Sequence, residues 1–386
     1  MRRPGLAPGL LLGVVLDTML ADPARGHPVA AFGAAAARVE RLLWADSRAR
    51  GALFALACVG PLTAAARAAD LVAARWGAVG RGAAGRGAAG RGTAGQVAAG
   101  RGTAGRGAAG PSAAGRARPA GQIAWTALAA WTVLGGESLA SEAIAIARAL
   151  EAGDLATARR RLPALCGRDP AGLDGPGIAR AVVESVAENT CDAVVAPLLW
   201  GAACGVPGLV GYRAVNTLDA MVGHRDARYG RFGWAAARLD DVANLAPARL
   251  TALLASVLAP AVGGSLPAAF RVLRRDGGNH PSPNAGRCEA AFAGALRVRL
   301  GGTNVYAGVP EQRGPLGAGR APGPRDIRRA VLLARLTGAV AAVLAAAAAA
   351  VGPSAAGPSA PGPDAADAPG GAGFVSFRPP MKLRLR

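Results

Sequence analysis

The chain has 386 residues, 52% of them hydrophobic and only 18% charged, with a mean hydropathy of +0.27. Apolar residues gathered in separate blocks at this overall balance exclude an ordinary soluble domain as first reading and favour a polytopic membrane protein. The net charge of +20 does not point to nucleic acid, because every basic residue but Lys382 is Arg and the sequence has no zinc-finger spacing or basic–aromatic interleaving. Attraction to anionic lipid headgroups accounts for the excess more economically. Five scattered cysteines (Cys58, Cys166, Cys191, Cys204 and Cys288) form no CxxC pair and read as reduced thiols.

Residues 6–21 form a first apolar block, which carries Asp17 and no small-residue cleavage site, so it reads as a retained membrane helix. DPARGHPV follows, a loop forced by Pro23 and Pro28. Asp22 and His27 sit in it, and His27 reads equally as a surface histidine or a ligand contact. A charged helical stretch, 38–50, leads to a second apolar block, 51–66, broken at Pro61. From 80 to 110 a glycine recurs every five residues among Ala and Arg, which predicts a flexible linker without a packed core. Residues 122–134 form a third block, with Trp125 and Trp131 as interfacial aromatics. Leu139, Ala143, Ile146 and Leu150, then Leu155, Ala158, Leu162 and Leu165, predict a soluble helical hairpin with Asp154 as N-cap. Beyond the centre come an apolar block at 250–270 containing Pro260, a polar motif-rich stretch at 276–308, and the cleanest span at 331–351. The expected organisation is N-terminal membrane helices and the DPxxxHP loop (1–79), linker (80–121), membrane and catalytic core (122–351) and a disordered Pro/Gly/Ala tail (352–386). The expected fold class is all-α, a polytopic membrane helix bundle with soluble helical loops.

The chemistry concentrates in residues 179–249. On a helix, Arg180, Glu184, Glu188 and Asp192 fall in one row, with Ser185 and Asn189 beside it. Like charges one turn apart repel, so the row needs compensation from Arg180 or from a hard cation such as Mg²⁺; a solvated helix face is the competing reading. Residues 193–211 carry no charge and are long enough to span a bilayer. Spanning would separate Glu184, Glu188 and Asp192 from Arg213, Asn216, Asp219, Asp240 and Asp241. Pro197, Gly201, Gly205, Pro207 and Gly208 instead predict a broken hairpin that returns to its own side. Arg213 suits a phosphate or carboxylate. His224 reads as a loop or interface residue rather than a base. In NHPSPNAGRCE, Ser282 or Asn284 stands where a helix N-terminus could hold an anion or simply be capped, with Arg287 following.

Six segments carry a family resemblance: DPARGHPV, RAVVESVAENTCDAVVAPL, YRAVNTLDAMVG, YGRFGWAAARLDDVANLAPARL, SPNAGRCEAAFAGAL and LGGTNVYAG. Together, and in this order, they resemble the adenosylcobinamide-phosphate synthase family of cobalamin biosynthesis, integral membrane proteins of bacteria. The resemblance implies a multi-pass cell-membrane ligase that joins aminopropanol, or its phosphate, to the propionate carboxylate of adenosylcobyric acid. ATP and Mg²⁺ are implied as the driver, with the carboxylate activated as an acyl phosphate. The implied partners are the corrinoid, the amine, membrane lipid and other cobalamin-synthesis enzymes, with no nucleic acid. On this sequence the catalytic set would be Glu184, Glu188, Asn189 and Asp219. Asp22, His27, Arg213, Asn216, Ser282, Asn284 and Arg287 would bind substrate or phosphate, and Asp192, Asp240 and Asp241 would bind Mg²⁺. Departures from the family's pattern fall at Thr190-Cys191-Asp192-Ala193, usually Asp then Gly, at Arg213, commonly Lys, and at His224, commonly Tyr. No GxxxxGK[ST] loop is present, so ATP would need a site of another kind. A transporter with intramembrane carboxylates is the alternative; it predicts internal repeats, and the two halves show none.

Overall fold

Alanine, leucine and arginine are abundant in the chain, and all three favour helix. In a computed structural model, residues 5–22, 26–87, 117–224, 226–306 and 309–351 are described, and they are mostly helical. The order begins α1 (Leu6–Leu20), α2 (Pro28–Leu43), α3 (Arg48–Gly87), α4 (Ala117–Val133), α5 (Gly136–Glu151) and α6 (Leu155–Arg161). It continues with α7 (Gly175–Thr190), α8 (Ala196–Cys204), α9 (Val206–Val222), α10 (Trp234–Ala243), α11 (Leu245–Val257), α12 (Leu266–Asp276) and α13 (Ala285–Leu296). Strands β1 (Leu300–Tyr306) and β2 (Val309–Leu316) precede the last helix, α14 (Pro324–Val351).

The core is built mainly from small residues, so helices approach closely. Gly5, Gly9 and Gly13 present one face of α1 to α4, and a Cβ at Gly5 would lie 2.7 Å from that of Gln122. This spacing of small residues lets two backbones pack directly. One apolar cluster joins α5, α6, α7, α11, α13 and α14 around Ile146, Leu162, Ile178 and Phe292. A second joins α1, α4, α8 and α9 around Leu10, Leu134, Leu198 and Leu209. A third fixes α3 against α2, α9 and the loop before α10, with the Phe54 and Phe232 rings 5.2 Å apart. The predicted hairpin of α5 and α6 is present, and Asp154 caps α6 by accepting from Thr157 N at 2.9 Å.

Several expectations need correction. The fold is not purely helical: β1 and β2 form an antiparallel hairpin whose register is shifted between Leu300 and Gly302. Glycine-rich LGGTNVYAG hid the strand alternation, since Gly301 and Gly302 take φ of +78° and +93°. Pro61 does not end its block; α3 runs through it to Gly87, past the boundary expected for the linker. The block at 250–270 is not one span. It divides into α11, a short 3₁₀ turn at Ala259–Val262 and α12, because Pro260 and Gly263 (φ +76°) stop α11 and Ser265 caps α12. Trp125 and Trp131 donate their indole N–H groups to Asp70 Oδ1 at 2.9 Å and to the Ala21 carbonyl at 3.1 Å. Among the described residues, two helices are long and apolar enough to cross a membrane, Arg48–Ala73 and Pro324–Val351. α1 has 15 residues, about 22 Å of helix, and falls short of a bilayer core on its own. The expected linker between 88 and 116 and the tail from 352 lie outside the described residues, as do Pro23, Ala24 and Arg25 of the first loop.

The uncharged run at 193–211 folds back on itself. After a π-helical turn at Cys191–Val195, α8 runs to Cys204, Gly205 reverses the chain at φ +75°, and α9 returns alongside α8. Gly208 allows the approach: a Cβ there would strike the Trp200 carbonyl and lie 2.7 Å from Cys204 Cβ. The polar residues on either side of the run therefore face one another.

Candidate active site

Helix α7 begins cleanly, with Asp174 accepting from Gly177 N at 2.8 Å and Pro176 in the first turn. Its period sets Arg180, Glu184 and Glu188 in the expected row, and the π-helical turn at Cys191–Val195 continues the chain to Asp192. Burial grades along that row: Glu184 is 3% exposed, whereas Glu188 and Asp192 are half-buried. From Glu184, the buried floor, to Asp192, the more open mouth, the row runs about 12 Å at 1.5 Å per residue.

At the floor, Glu184 is fully engaged. Arg168 donates to its Oε2 at 2.5 Å, and the Gly301 amide donates to its Oε1 at 2.7 Å. Arg180 turns to the β-hairpin, donating to the Gly301 carbonyl, to the Thr303 carbonyl at 2.9 Å and to Asn304 Oδ1 at 3.1 Å. Beside Glu184, the fully buried Glu289 of α13 accepts no hydrogen bond at either oxygen; His280 Nε2 stands 3.7 Å away and Arg313 Nη1 3.9 Å. Burial, then Glu184 and Glu188, push the Glu289 carboxyl well above the usual carboxylate range. Burial and Arg313 lower His280 to about 4, so its ring is neutral, with Nδ1 accepting from Ser282 N at 3.0 Å.

At the mouth, the two half-sites meet. Asn216 of α9 donates to Asp192 Oδ2 at 3.4 Å and to Asp240 Oδ1 at 3.2 Å, and it accepts from Arg213 at 3.4 Å. Asn244 donates to Asp240 Oδ2 at 3.0 Å and accepts from the Tyr212 hydroxyl at 2.9 Å. Burial raises Glu188, with Asp240 and Glu184 adding and Arg313 and Arg168 opposing. Asp219 is lifted to about 7 by burial and then by Asp240, Asp241 and Glu188. Asp240 is also raised by burial, against the hydrogen bonds from Asn216 and Asn244. The site thus holds more carboxylate than its local cations neutralise.

Other predicted residues divide. Asp22 and His27 approach each other at 3.3 Å, and Asp22 and Arg213 both border Gly135, which brings the first loop to the mouth. His27 also caps α2, with Nδ1 accepting from Val29 N at 3.2 Å. Asn189 turns back on its own helix, donating to the Ser185 carbonyl at 3.0 Å. Asp241 pairs with Arg238 at 3.2 Å, away from Asp192 and Asp240. Ser282 accepts from Asn284 N and Ala285 N, both at 3.2 Å, so the start of α13 already has its cap. Asn284 donates to the Asp241 carbonyl at 2.7 Å, fastening α13 to α10, and the nearby Arg287 leaves its Nε without a partner. His224 is an exposed loop residue. All five cysteines are free. Arg168 went unnoticed in the sequence, where CGRDP carries no spacing signal. Asn244 is one turn from Asp240, which makes it legible, and Glu289 could be found only by knowing that α13 packs on α7.

A protein-family profile described as CobD/Cbib protein matches residues 10–334. The chain is 50% identical over 340 residues to "Cobalamin biosynthesis protein CobD" of Mycobacterium tuberculosis (strain CDC 1551 / Oshkosh), covering 88% of this chain and 94% of that one. A protein of the same name from Geobacter metallireducens is 43% identical over 312 residues, 80% of this chain and 85% of the relative. A third, from Chromobacterium violaceum, is 37% identical over 324 residues, 84% and 90% of the two chains. No solved structure matches. The resemblance read from the six motifs therefore extends over nearly the whole chain, and the chain belongs to the CobD/CbiB family of cobalamin biosynthesis.

Proposed function

We propose that this chain is a membrane-bound ligase that forms the amide between a propionate carboxyl of adenosylcobyric acid and aminopropanol or its phosphate. The observation that supports it is the returning hairpin: Asp192, before the apolar run, and Asp240, after it, share the amide of Asn216. One hydrogen-bonded cluster thereby joins hard oxygen ligands, a guanidinium and carboxylates, the groups an amide-forming site needs. A transporter is the less favoured reading, since the family's role is biosynthesis.

Asp192 and Asp240 suit Mg²⁺ by donor type and by their surplus charge; Asp241 does not, being turned to Arg238. Among the described residues no group of three or more His, Cys, Asp or Glu forms a complete metal cage. That fits an ion held by one or two carboxylates together with a substrate's phosphates. Mg²⁺ with a nucleoside triphosphate would supply activation of the propionate carboxyl. Arg213 binds phosphate or carboxylate at the mouth, Arg287 is a second candidate, and Asn216 holds the two carboxylates apart. Asp219, raised to about 7, is poised to exchange a proton near neutrality. Glu184, held by Arg168 and Gly301, positions the floor.

Association with the membrane runs through α3 and α14, and we place the protein in the bacterial plasma membrane as a multi-pass protein. The test is turnover of adenosylcobyric acid by the full chain with each amine, with and without ATP and Mg²⁺. Amide product that depends on the triphosphate supports the reading, and Asp219→Ala should abolish growth rescue of a strain lacking this step. A well-expressed wild-type chain that neither turns over nor rescues would overturn it.

A further inference from the structure

The floor of the cleft holds an acid that the preceding assignments do not use. Glu289 is 1% exposed, and neither oxygen accepts a hydrogen bond. A buried carboxylate without donors costs several kcal/mol unless a cation or donor completes it. Its charged neighbours stand within ion-pair distance of Glu289 without donating a hydrogen bond to it. Arg168 and the Gly301 amide hold Glu184. Arg313 donates to Glu311 at 2.9 Å and stands 3.9 Å from Glu289. His280 lies 3.7 Å away, too far to donate. Among the described residues, both oxygens of Glu289 accept no hydrogen bond, and the half-buried Glu188 lies one helical turn beyond Glu184. Asn304, also 1% exposed, leaves its Nδ2 without an acceptor, although its Oδ1 is held by Arg180.

We infer that Glu289 binds a primary ammonium group at the cleft floor and accepts its proton. An ammonium carries three N–H donors and needs several acceptors, which Glu289 and Glu188 supply. Accessibility favours this end for the amine: a corrin macrocycle needs the more exposed residues around Asp192, whereas only a small molecule suits the buried Glu289. The step is R–NH₃⁺ with Glu289 carboxylate giving R–NH₂ and Glu289 carboxylic acid; no electrons move, and the freed lone pair becomes the nucleophile. Burial and the charges of Glu184 and Glu188 raise the affinity of Glu289 for that proton, against Arg313 and Arg168. Neutral His280 faces the pair without competing for the proton, since its Nδ1 is occupied by Ser282 N.

The inference rests on the ligase reading for its substrate, but the site is tested separately. Thermal unfolding of the full chain in detergent is followed with 1-amino-2-propanol and with 1,2-propanediol, its uncharged counterpart. The amine should stabilise the wild type and the diol should not; equal stabilisation by both, or none by the amine, overturns the inference without any variant being made. Glu289→Gln should lose the stabilisation and raise KM for the amine roughly ten- to hundredfold while leaving KM for the corrinoid unchanged. Glu289→Asp, which keeps the charge, should recover part of it. Turnover with an unaltered amine KM in Glu289→Gln sinks the inference and leaves the ligase intact. Stabilisation by the amine that depends on Glu289, in a chain without turnover, sinks the ligase reading and leaves the site.

Discussion

Replacing Arg168 by Met should be among the most damaging single changes at the floor of the cleft, although Arg168 was silent in the sequence. Both members of the Arg168–Glu184 pair are 3% exposed, and the contact is 2.5 Å. Met fills similar volume but leaves Glu184 with the Gly301 amide and the more distant Arg180, whose Nε is 3.9 Å away. Removing one partner of a buried pair costs about 3–5 kcal/mol, chiefly because the remaining charge stays desolvated. Against a total stability of about 5–15 kcal/mol, that is a large share. Denaturant unfolding of the detergent-solubilised chain, followed by tryptophan fluorescence, measures the loss. Arg168→Met/Glu184→Gln should be more stable than Arg168→Met alone, since it removes the orphaned charge, with a coupling of about 0.5–3 kcal/mol between the sites. An Arg168→Met midpoint within about 0.5 kcal/mol of wild type, the scatter of a surface substitution, would refute the reasoning.

Asn216→Leu should destabilise the chain by about 1–3 kcal/mol and depress turnover, because it removes the amide that Asp192 and Asp240 share; unchanged turnover counts against the mouth as the reacting site. Asp219 is raised from 3.8 to about 7 in the folded chain, so its contribution to stability is complete below about 4 and is lost as pH rises through 7. Asp219→Asn should flatten stability across that window, and an unaltered slope would contradict the burial assigned to it. Cysteines at the exposed positions Asp169 and Asp226, which bracket the hairpin in sequence, should react with an impermeant thiol reagent from the same side of the membrane; opposite sidedness would mean that 193–211 crosses.

The arrangement of the candidate residues was legible where spacing within one helix carried it. The row from Arg180 to Asp192 follows from a period of four, and the reversal near Gly205 followed from five glycines and prolines in an uncharged run. What could not be read was pairing between distant elements. Arg168 meets Glu184 only because the loop before α7 folds over it, and Glu289 reaches the floor only because α13 packs on α7. The β-hairpin escaped because two consecutive glycines at positive φ break the alternation that marks a strand. Composition also gave no sign of where the apolar blocks divide. Alanine-rich segments such as 250–270 score as apolar throughout, yet Pro260 and Gly263 divide this one into two shorter helices.

The gradient of burial along α7 has a kinetic consequence. Glu184 and Glu289 are buried while Asp192 is half-buried, so a corrinoid held at Asp192 would cover an amine held at Glu289. On the ligase reading, the small amine must arrive before the corrinoid. Corrinoid bound first would form an abortive complex, and excess corrinoid should slow the enzyme in a manner relieved by more amine.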